Sequence, residues 1–380
     1  MDKGKLINCF KVLTLFVADR VNTFQLIMQS FGQILQSYDY FLPKNLIAQT
    51  PASPRDQARV LIYNRTAGEK YEDTFLNLAK YLPPRSVIVF NQTKVMAARL
   101  ILYKPTGGKV TILYLGLSSP RSLSRTTIRE RGPRLIKVWA DRALEPGLKL
   151  SIFPPHFPPS SYSNLVRSKN LLFTVIKQQG QDFFLQPNFS LKALPGILQR
   201  YGQTPLPPYL RHSPLKENER RKNYQTIFAK NTGSIAAPTA SLHFTKRSLK
   251  KLKAAGHDIA FVTLHVGLGT FAPLTADNLA KGKLHQEYYE IANKTAAFLN
   301  KAKKQGRPII AVGTTVVRTL ESACSRSNLG KGLTLPKVRP WRGKTDLFIQ
   351  PGYKFKFVDH LITNFHVPKS SLLMLVSALI

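Results

Sequence analysis

Alternation of apolar and polar positions divides this chain into stretches of different character. Val87–Phe90 is a short apolar run between Pro83–Pro84 and Asn91, the pattern of a buried strand. Residues 74–82 carry helical periodicity, and residues 109–115 alternate in the strand manner behind the turn Gly107–Gly108. Short strand-like pieces follow at Ile136–Ala140, Lys149–Phe153, Leu172–Ile176 and Phe183–Leu185, punctuated by Pro154, Pro155, Pro158 and Pro159. Short strands with turns between them predict a small β-barrel. Beyond Pro205 the pattern changes. Ile259–Val266 and Pro308–Val312 read as buried strands. Asn293–Gln305 reads as a helix stopped by Gly306, and helices are expected from Thr315 to Ala323 and, behind a Ser cap, over Ser370–Leu379. Strands alternating with helices argue for an α/β domain. The fold class expected is therefore α/β plus β: an α/β domain formed by residues 38–102 and 201–380, with an inserted small β-barrel domain over residues 103–200.

Residues 1–37 stand apart. The run LINCFKVLTLFVA, residues 6–18, is interrupted by Lys11 and falls short of the roughly 20 residues a membrane span takes. It predicts an appended amphipathic helix, or a stretch translated ahead of a functional start at Met28. No other segment reaches membrane length, so no membrane association is expected.

Charge changes the picture. The chain has 380 residues with 56 Lys+Arg against 20 Asp+Glu, a formal net charge of +36. Such a chain is attracted to polyanions in a salt-dependent way, unless its whole proteome is basic. Ten basic residues against two acidic ones lie between Lys216 and Lys253, a polyanion contact or a solvated helix face. Five arginines crowd residues 121–134, a Ser/Arg-rich stretch read as a loop. Cys9 and Cys324 are the only cysteines, which excludes a disulfide framework and a Cys-rich zinc site and fits a reducing compartment. There is no P-loop and no HExxH, and His285–x–Glu287 is too short a motif for a metal site, so no metal is expected.

Five segments hold more polar chemistry than packing requires. GQTPLPPY (Gly202–Tyr209) has three prolines in four positions that rigidify the backbone, as part of a site or as a stiff interdomain linker. YQTIFAKNTGSIAAPTASLHFT (Tyr224–Thr245) is rich in small residues and hydroxyls, with His243 near its end and Thr245 placed to cap a basic helix. TLHVGLGTFAP sets His265 at the end of an apolar strand before Gly267 and Gly269, where α/β crevices open, although a lone strand histidine is usually a core residue. IAVGTTVVRTLESA feeds a strand into a Gly turn and a helix whose first N–H groups suit an anion; Arg318 and Glu321, at i and i+3, either pair with each other or serve a site. TDLFIQPGYKFKFVDHLITNFHVPKSS gathers Asp359, Thr363, Asn364, His366, Lys369 and Ser370 around a strand-to-helix junction.

Together with YDYFLPKNLIAQTP, VFNQTKVMAARL, GGKVTILYL and HQEYYEI, these segments closely resemble, in order from Tyr38 to the last residue, the S-adenosylmethionine:tRNA ribosyltransferase-isomerase family of queuosine biosynthesis. The resemblance implies an α/β domain plus a β-barrel domain, and a transferase-isomerase that moves the ribosyl part of S-adenosylmethionine onto 7-aminomethyl-7-deazaguanine at the tRNA wobble position. Epoxyqueuosine-tRNA forms, and adenine and methionine leave. It implies S-adenosylmethionine as a consumed co-substrate with no permanently bound cofactor, tRNA as partner, a cytoplasmic location, and a monomer or weak homo-oligomer. His243, His265 and His366 are the candidate acid/base set, histidine being the natural shuttle near neutral pH. Glu321 or Asp359 is the candidate for ribose hydroxyls or the acceptor amine, and Arg318 and Lys369 for tRNA phosphate or the methionine carboxylate. Thr239, Gly267, Gly269, Thr270, Gly313, Thr314, Thr363 and Asn364 complete the candidate binding set.

The chain departs from the family at Ser241, where a Gly is usual, in residues 211–223, in residues 1–37, and at Ile380, where family members usually continue for a few dozen residues. The last departure leaves a non-catalytic or degenerate tRNA-binding relative as the alternative. A methyltransferase would need a Gly-rich first-strand loop that is missing.

Overall fold

The computed structural model describes residues 12–13, 30–118, 134–155, 171–210, 212–267, 269, 273–325 and 336–380. The chain packs as two compact units, one made of residues 1–95 and 206–380, the other of residues 96–205.

The first unit is built on a nine-stranded mixed sheet in the order Trp341–Leu347, Lys283–Ile291, Asp258–Leu264, Val87–Asn91, Ile309–Val312, His360–Asn364, Val12–Leu13, Arg59–Asn64, Glu69–Thr74. The four strands from Asp258–Leu264 to His360–Asn364 run parallel. Val87–Asn91 and Ile309–Val312 are buried along their whole length, as expected for parallel strands covered on both faces. Their side chains alternate between two cores. Val87, Val89, Ile309 and Ala311 join the helices Asn293–Lys304 and Thr314–Ala323, whereas Ile88, Phe90, Ile310 and Val312 face Phe75, Phe244 and Leu252.

Local signals set several boundaries. The Thr245 hydroxyl accepts from Ser248 N at 3.1 Å to start the helix Lys246–Ala254, and the same hydroxyl donates to the fully buried Asp56 carboxylate, which also pairs with Arg247 at 2.7 Å. Ser370 Oγ accepts from Leu373 N to start Ser371–Leu379. Gly306, with φ +66°, lies just beyond Asn293–Lys304.

Elsewhere the structure corrects the sequence reading. Residues 74–82 form only a 3-10 turn, Phe75–Lys80, because Phe75 and Leu78 alone are buried and three-residue spacing suffices to bury them. Val12–Leu13, read as part of an amphipathic helix, is a short strand laid between His360–Asn364 and Arg59–Asn64, whose facing edges provide ladder partners. Residues 119–133, which hold four of the five arginines read as a loop, lie outside the described residues.

The second unit is a closed barrel of six antiparallel strands: Leu172–Gln179, Asp182–Pro187, Ile136–Ala140, Lys109–Leu117, Arg99–Tyr103 and Lys149–Ser151. Its inward positions alternate along each strand, for example Leu100 and Leu102, Val110 and Ile112, Ile136 and Val138. The strand Arg99–Tyr103 belongs to this barrel, upstream of the boundary read at residue 103, because its Leu100 and Leu102 enter the barrel core. The helix Leu194–Tyr201 packs on that core through Leu194, Ile197 and Leu198 and ends at Gly202.

Gly202 sits where two carbonyls converge. A Cβ there would lie 1.9 Å from the Ala97 oxygen and 2.4 Å from the Leu198 oxygen, both backbone atoms. Gly202→Ala is therefore expected to destabilise the protein by about 3 kcal/mol, the upper part of the usual overpacking range. Chemical denaturation measures it, and an unchanged midpoint would refute the close approach.

Candidate active site

The parallel strands Ile309–Val312 and His360–Asn364 end side by side, and a cavity of about 690 Å³ opens beyond their carboxyl ends. Ligands of open α/β sheets bind in this position. Gly313, at φ +92°, makes the turn out of the first strand and donates its N–H to Ile362 O at 2.7 Å. It brings Thr314 and Thr315, at the start of the buried helix Thr314–Ala323, to the wall. Thr363, Asn364, His366 and Lys369 line the cavity from the second strand and the turn after it, and Thr239 lines it from the 3-10 turn Thr239–His243.

Residues 38–40 are strapped to that turn. The Tyr40 hydroxyl donates to His366 O, Lys369 N donates to Tyr38 O at 2.9 Å, and Lys369 Nζ pairs with Asp39 at 2.9 Å. Tyr40 and Phe41 thereby join the wall, together with Pro208 and Tyr209 from the proline-rich segment. These four residues lie within the family-like motifs but are not among the candidate site residues read from the sequence. The density of aromatics and prolines in YDYFLPK and TPLPPY was the available signal.

Two histidines converge here by different routes. His366, half-buried, places Nε2 3.1 Å from Thr363 Oγ1. His243 is buried behind the wall, with Nε2 3.1 Å from Asn364 Oδ1 and its ring against Phe75, so it orients the Asn364 amide. Desolvation pushes both imidazoles down to about 4, and hydrogen bonding to Asn364 only partly opposes this at His243. Both are neutral near pH 7.

Other candidates lie elsewhere. His265 is not on the cavity wall. Its Nδ1 lies 2.7 Å from Thr93 Oγ1, its ring stacks on Tyr288 at 5.6 Å, and Gly233 packs so closely that a Cβ there would fall 2.7 Å from Nε2. Burial lowers its pKa too. Gly267 donates its N–H to Glu287 at 2.7 Å, and a Cβ on Gly269 would meet the His285 Cβ at 2.4 Å, so both glycines serve packing against the strand Lys283–Ile291. Thr270 lies outside the described residues.

Glu321 and Asp359 are not on the cavity wall, and protein groups engage both carboxylates. Glu321 accepts from Lys356 N, Phe357 N, Val358 N and the Tyr353 hydroxyl at 2.9–3.1 Å, which occupies its carboxylate in fixing the loop before His360–Asn364. Asp359 pairs with Lys303 at 2.6 Å and accepts from Ile309 N at 2.8 Å. It precedes its strand, and five residues at about 3.3 Å each separate it from Asn364 at the cavity end. Arg318 does not pair with Glu321. It forms a buried ion pair with Glu287, and its Nε donates to Leu347 O at 3.0 Å. Its Nη2 is buried with no hydrogen-bond partner among the described residues. Glu287 was missed because its role depends on an arginine 31 residues away.

The strand-end cavity on a mixed sheet, with neutral histidines at and behind its wall and a six-stranded barrel in the same chain, defines a two-unit α/β–β-barrel protein with an enzyme-like crevice. The chain belongs to the queuosine biosynthesis protein family, whose model matches residues 35–380. A relative from Carboxydothermus hydrogenoformans, named S-adenosylmethionine:tRNA ribosyltransferase-isomerase, is 44% identical over 344 residues, 90% of each chain. One of the same name from Halothermothrix orenii is 39% identical over 345 residues, again 90% of each chain. A crystal structure of S-adenosylmethionine tRNA ribosyltransferase from Thermotoga maritima is 28% identical and covers 90% of this chain and 88% of that one, with a TM-score of 0.43. No helix among the described residues is long and apolar enough to cross a membrane, and no group of His, Cys, Asp and Glu among them could hold a metal ion.

Ser241, which stands where the family usually has Gly, is fully buried, and its hydroxyl has no hydrogen-bond partner among the described residues. A buried hydroxyl without a partner costs about 1–3 kcal/mol. Ser241→Ala keeps the Cβ and removes that cost, so the variant should unfold at higher denaturant by about 1 kcal/mol. A loss of stability would mean that the hydroxyl is bonded.

Proposed function

We propose that this chain transfers and isomerises the ribosyl moiety of S-adenosylmethionine onto 7-aminomethyl-7-deazaguanine at the wobble position of tRNA, releasing adenine and methionine. The observation that carries the reading is the strand-end cavity, formed by family motifs, whose histidine is held neutral by its surroundings. S-adenosylmethionine is a sulfonium cation. An imidazolium at the wall would repel it, whereas a neutral His366 tolerates it and can accept the proton that the sulfonium acidifies. His243 acts through Asn364 as a positioning residue. Thr239, Thr314 and Thr363 offer hydroxyls to the ribose, and Lys369 lies at the cavity with Asp39 as its counter-ion. Arg318, buried in its pair with Glu287 and absent from the cavity wall, takes no part in binding on this reading. The α/β unit carries the chemistry, S-adenosylmethionine is consumed as a co-substrate without a resident cofactor or metal, and the protein works in the cytoplasm as a monomer or weak homo-oligomer.

The tRNA reading draws support from the surface. The helix Lys246–Ala254 buries Ser248 and Leu252 and exposes Lys246, Lys250, Lys251 and Lys253. Among residues 216–230, Arg220 donates to Ser213 O and Arg221 pairs with Glu217, while Lys216, Lys222 and Lys230 are exposed. Phosphate contacts of this kind make binding fall with salt.

The test is incubation with S-adenosylmethionine and tRNA carrying the aminomethyl-deazaguanine. Adenine and methionine should appear in equal amounts, and only with the modified tRNA. Release of S-adenosylhomocysteine would overturn the reading.

His366→Ala should lower single-turnover rate by about 10²–10⁴, the usual worth of an acid–base group, while the melting temperature holds. Because the active form is the neutral imidazole, kcat/KM of the wild type should fall as pH drops through about 4, not through the ordinary histidine range. His265→Ala removes a ring packed between Tyr288 and Gly233, so it should show the reverse pattern of lost stability and a retained rate per folded molecule. A variant at His366 with full rate would remove it from the chemistry.

A further inference from the structure

Phe41 is out of place for a packing residue. Its side chain is 89% exposed, yet it lines the cavity mouth beside Tyr40. Single exposed apolar residues are ordinary on a protein surface. This one, however, stands on a rigid platform. Tyr38 is buried, and the Tyr40 and Lys369 bonds described above tie the stretch to the turn that carries His366. Leu46 and Val367, at 53% and 41% exposure, line the same cavity. Exposed Lys369 lines it too, and exposed Lys44 follows the lining residue Pro43, in a chain of net charge +36.

We propose that Phe41 is a base-stacking residue, whose open ring face receives an unpaired nucleobase of the RNA strand that delivers the wobble nucleotide to the cavity. The inference rests on the reading of this chain as a tRNA-acting enzyme. An aromatic ring is a sequence-tolerant platform for single-stranded bases, and the neighbouring cations suit the backbone between them. The degree of exposure chooses the source of the base. A cavity of about 690 Å³ suits a small co-substrate within it, whereas a ring whose faces no described residue encloses is matched by a ligand that extends beyond the mouth.

The probes are a synthetic anticodon stem-loop with an unmodified wobble guanine and, separately, S-adenosylmethionine alone. Phe41→Leu keeps an apolar side chain but removes the ring face, and it should weaken stem-loop binding about 5- to 100-fold, the range expected for one lost base stack. Phe41→Trp should retain binding, and its added fluorescence should be quenched by the stem-loop and not by S-adenosylmethionine, against the wild-type background of Trp139 and Trp341. Melting curves of both variants should match the wild type. Unchanged binding by Phe41→Leu overturns the proposal, as does quenching by S-adenosylmethionine alone. Stem-loop quenching without adenine release from modified tRNA leaves the stacking contact in place and overturns the catalytic reading instead.

Discussion

The helix Thr314–Ala323 is enclosed on nearly every side, and it carries both an arginine and a glutamate. A charge in such a place is tolerable only when its partners are fixed around it, and removing one partner of a buried pair typically costs about 3–5 kcal/mol. The rest of the α/β unit follows from meeting that demand. Arg318 draws in Glu287 and the Leu347 carbonyl, so the antiparallel strands Lys283–Ile291 and Trp341–Leu347 are held to the parallel sheet. Glu287 in turn holds Gly267 N, and with it the exit of the strand Asp258–Leu264. Glu321 gathers three consecutive N–H groups from Lys356 to Val358, which fixes where the strand His360–Asn364 begins and therefore where it ends. The cavity is the opposite end of the same construction, with the buried helix starting at Gly313 on one side and the turn of residues 364–366 on the other.

This arrangement explains which features could be read from the sequence. Caps and turns depend on residues three or four apart, so Thr245, Ser370, Gly306 and the Gly313 turn were legible. The barrel was legible because its strands alternate between one enclosed face and one outer face. The central strands could be read from unbroken apolar runs such as Ile309–Val312. Strand Lys283–Ile291 could not, since HQEYYEI is polar along much of its length and its reason for being a strand is Glu287, whose partner lies on another element. The same gap in sequence separation hides the partners of Arg318 and Glu321. At i and i+3 they look like a surface pair, but burial sends each to a different partner. Asp359 lies away from the cavity although it neighbours Thr363 and Asn364 in sequence, because a strand carries such neighbours to opposite ends of the sheet.

The candidate histidines separate along the same lines. Three of them follow or end apolar segments, and nothing local distinguishes them. What differs is what closes over each ring. Tyr288 and Gly233 close over His265, and Phe75 with Asn364 closes over His243. His366 alone remains on the cavity wall, because the next residues turn away through Pro368 to the Ser370 cap and Tyr40 holds only its backbone carbonyl. Tethering the backbone while leaving the ring at the wall fixes the position of a base without using up its nitrogen, apart from the contact with Thr363.

Desolvation of His366 at the wall and of His243 behind it also bears on the chemistry. A group held near 4 is neutral at physiological pH and serves as an acceptor, so neither His366 nor His243 brings a proton to the departing adenine unless it has first removed one from the substrate. On the proposed reading, with His366 as the base, proton removal beside the sulfonium and protonation of the leaving base are two halves of one transfer through the same imidazole: the substrate passes from a cation to a net-neutral ylide as the imidazole becomes a cation, so the net charge at the site is unchanged. A desolvated pocket opposes creation of net charge, but it does not oppose a proton transfer that leaves the net charge within its walls unchanged. On the same reading, the desolvation that makes His366 a weak base favours a cationic substrate as its proton donor.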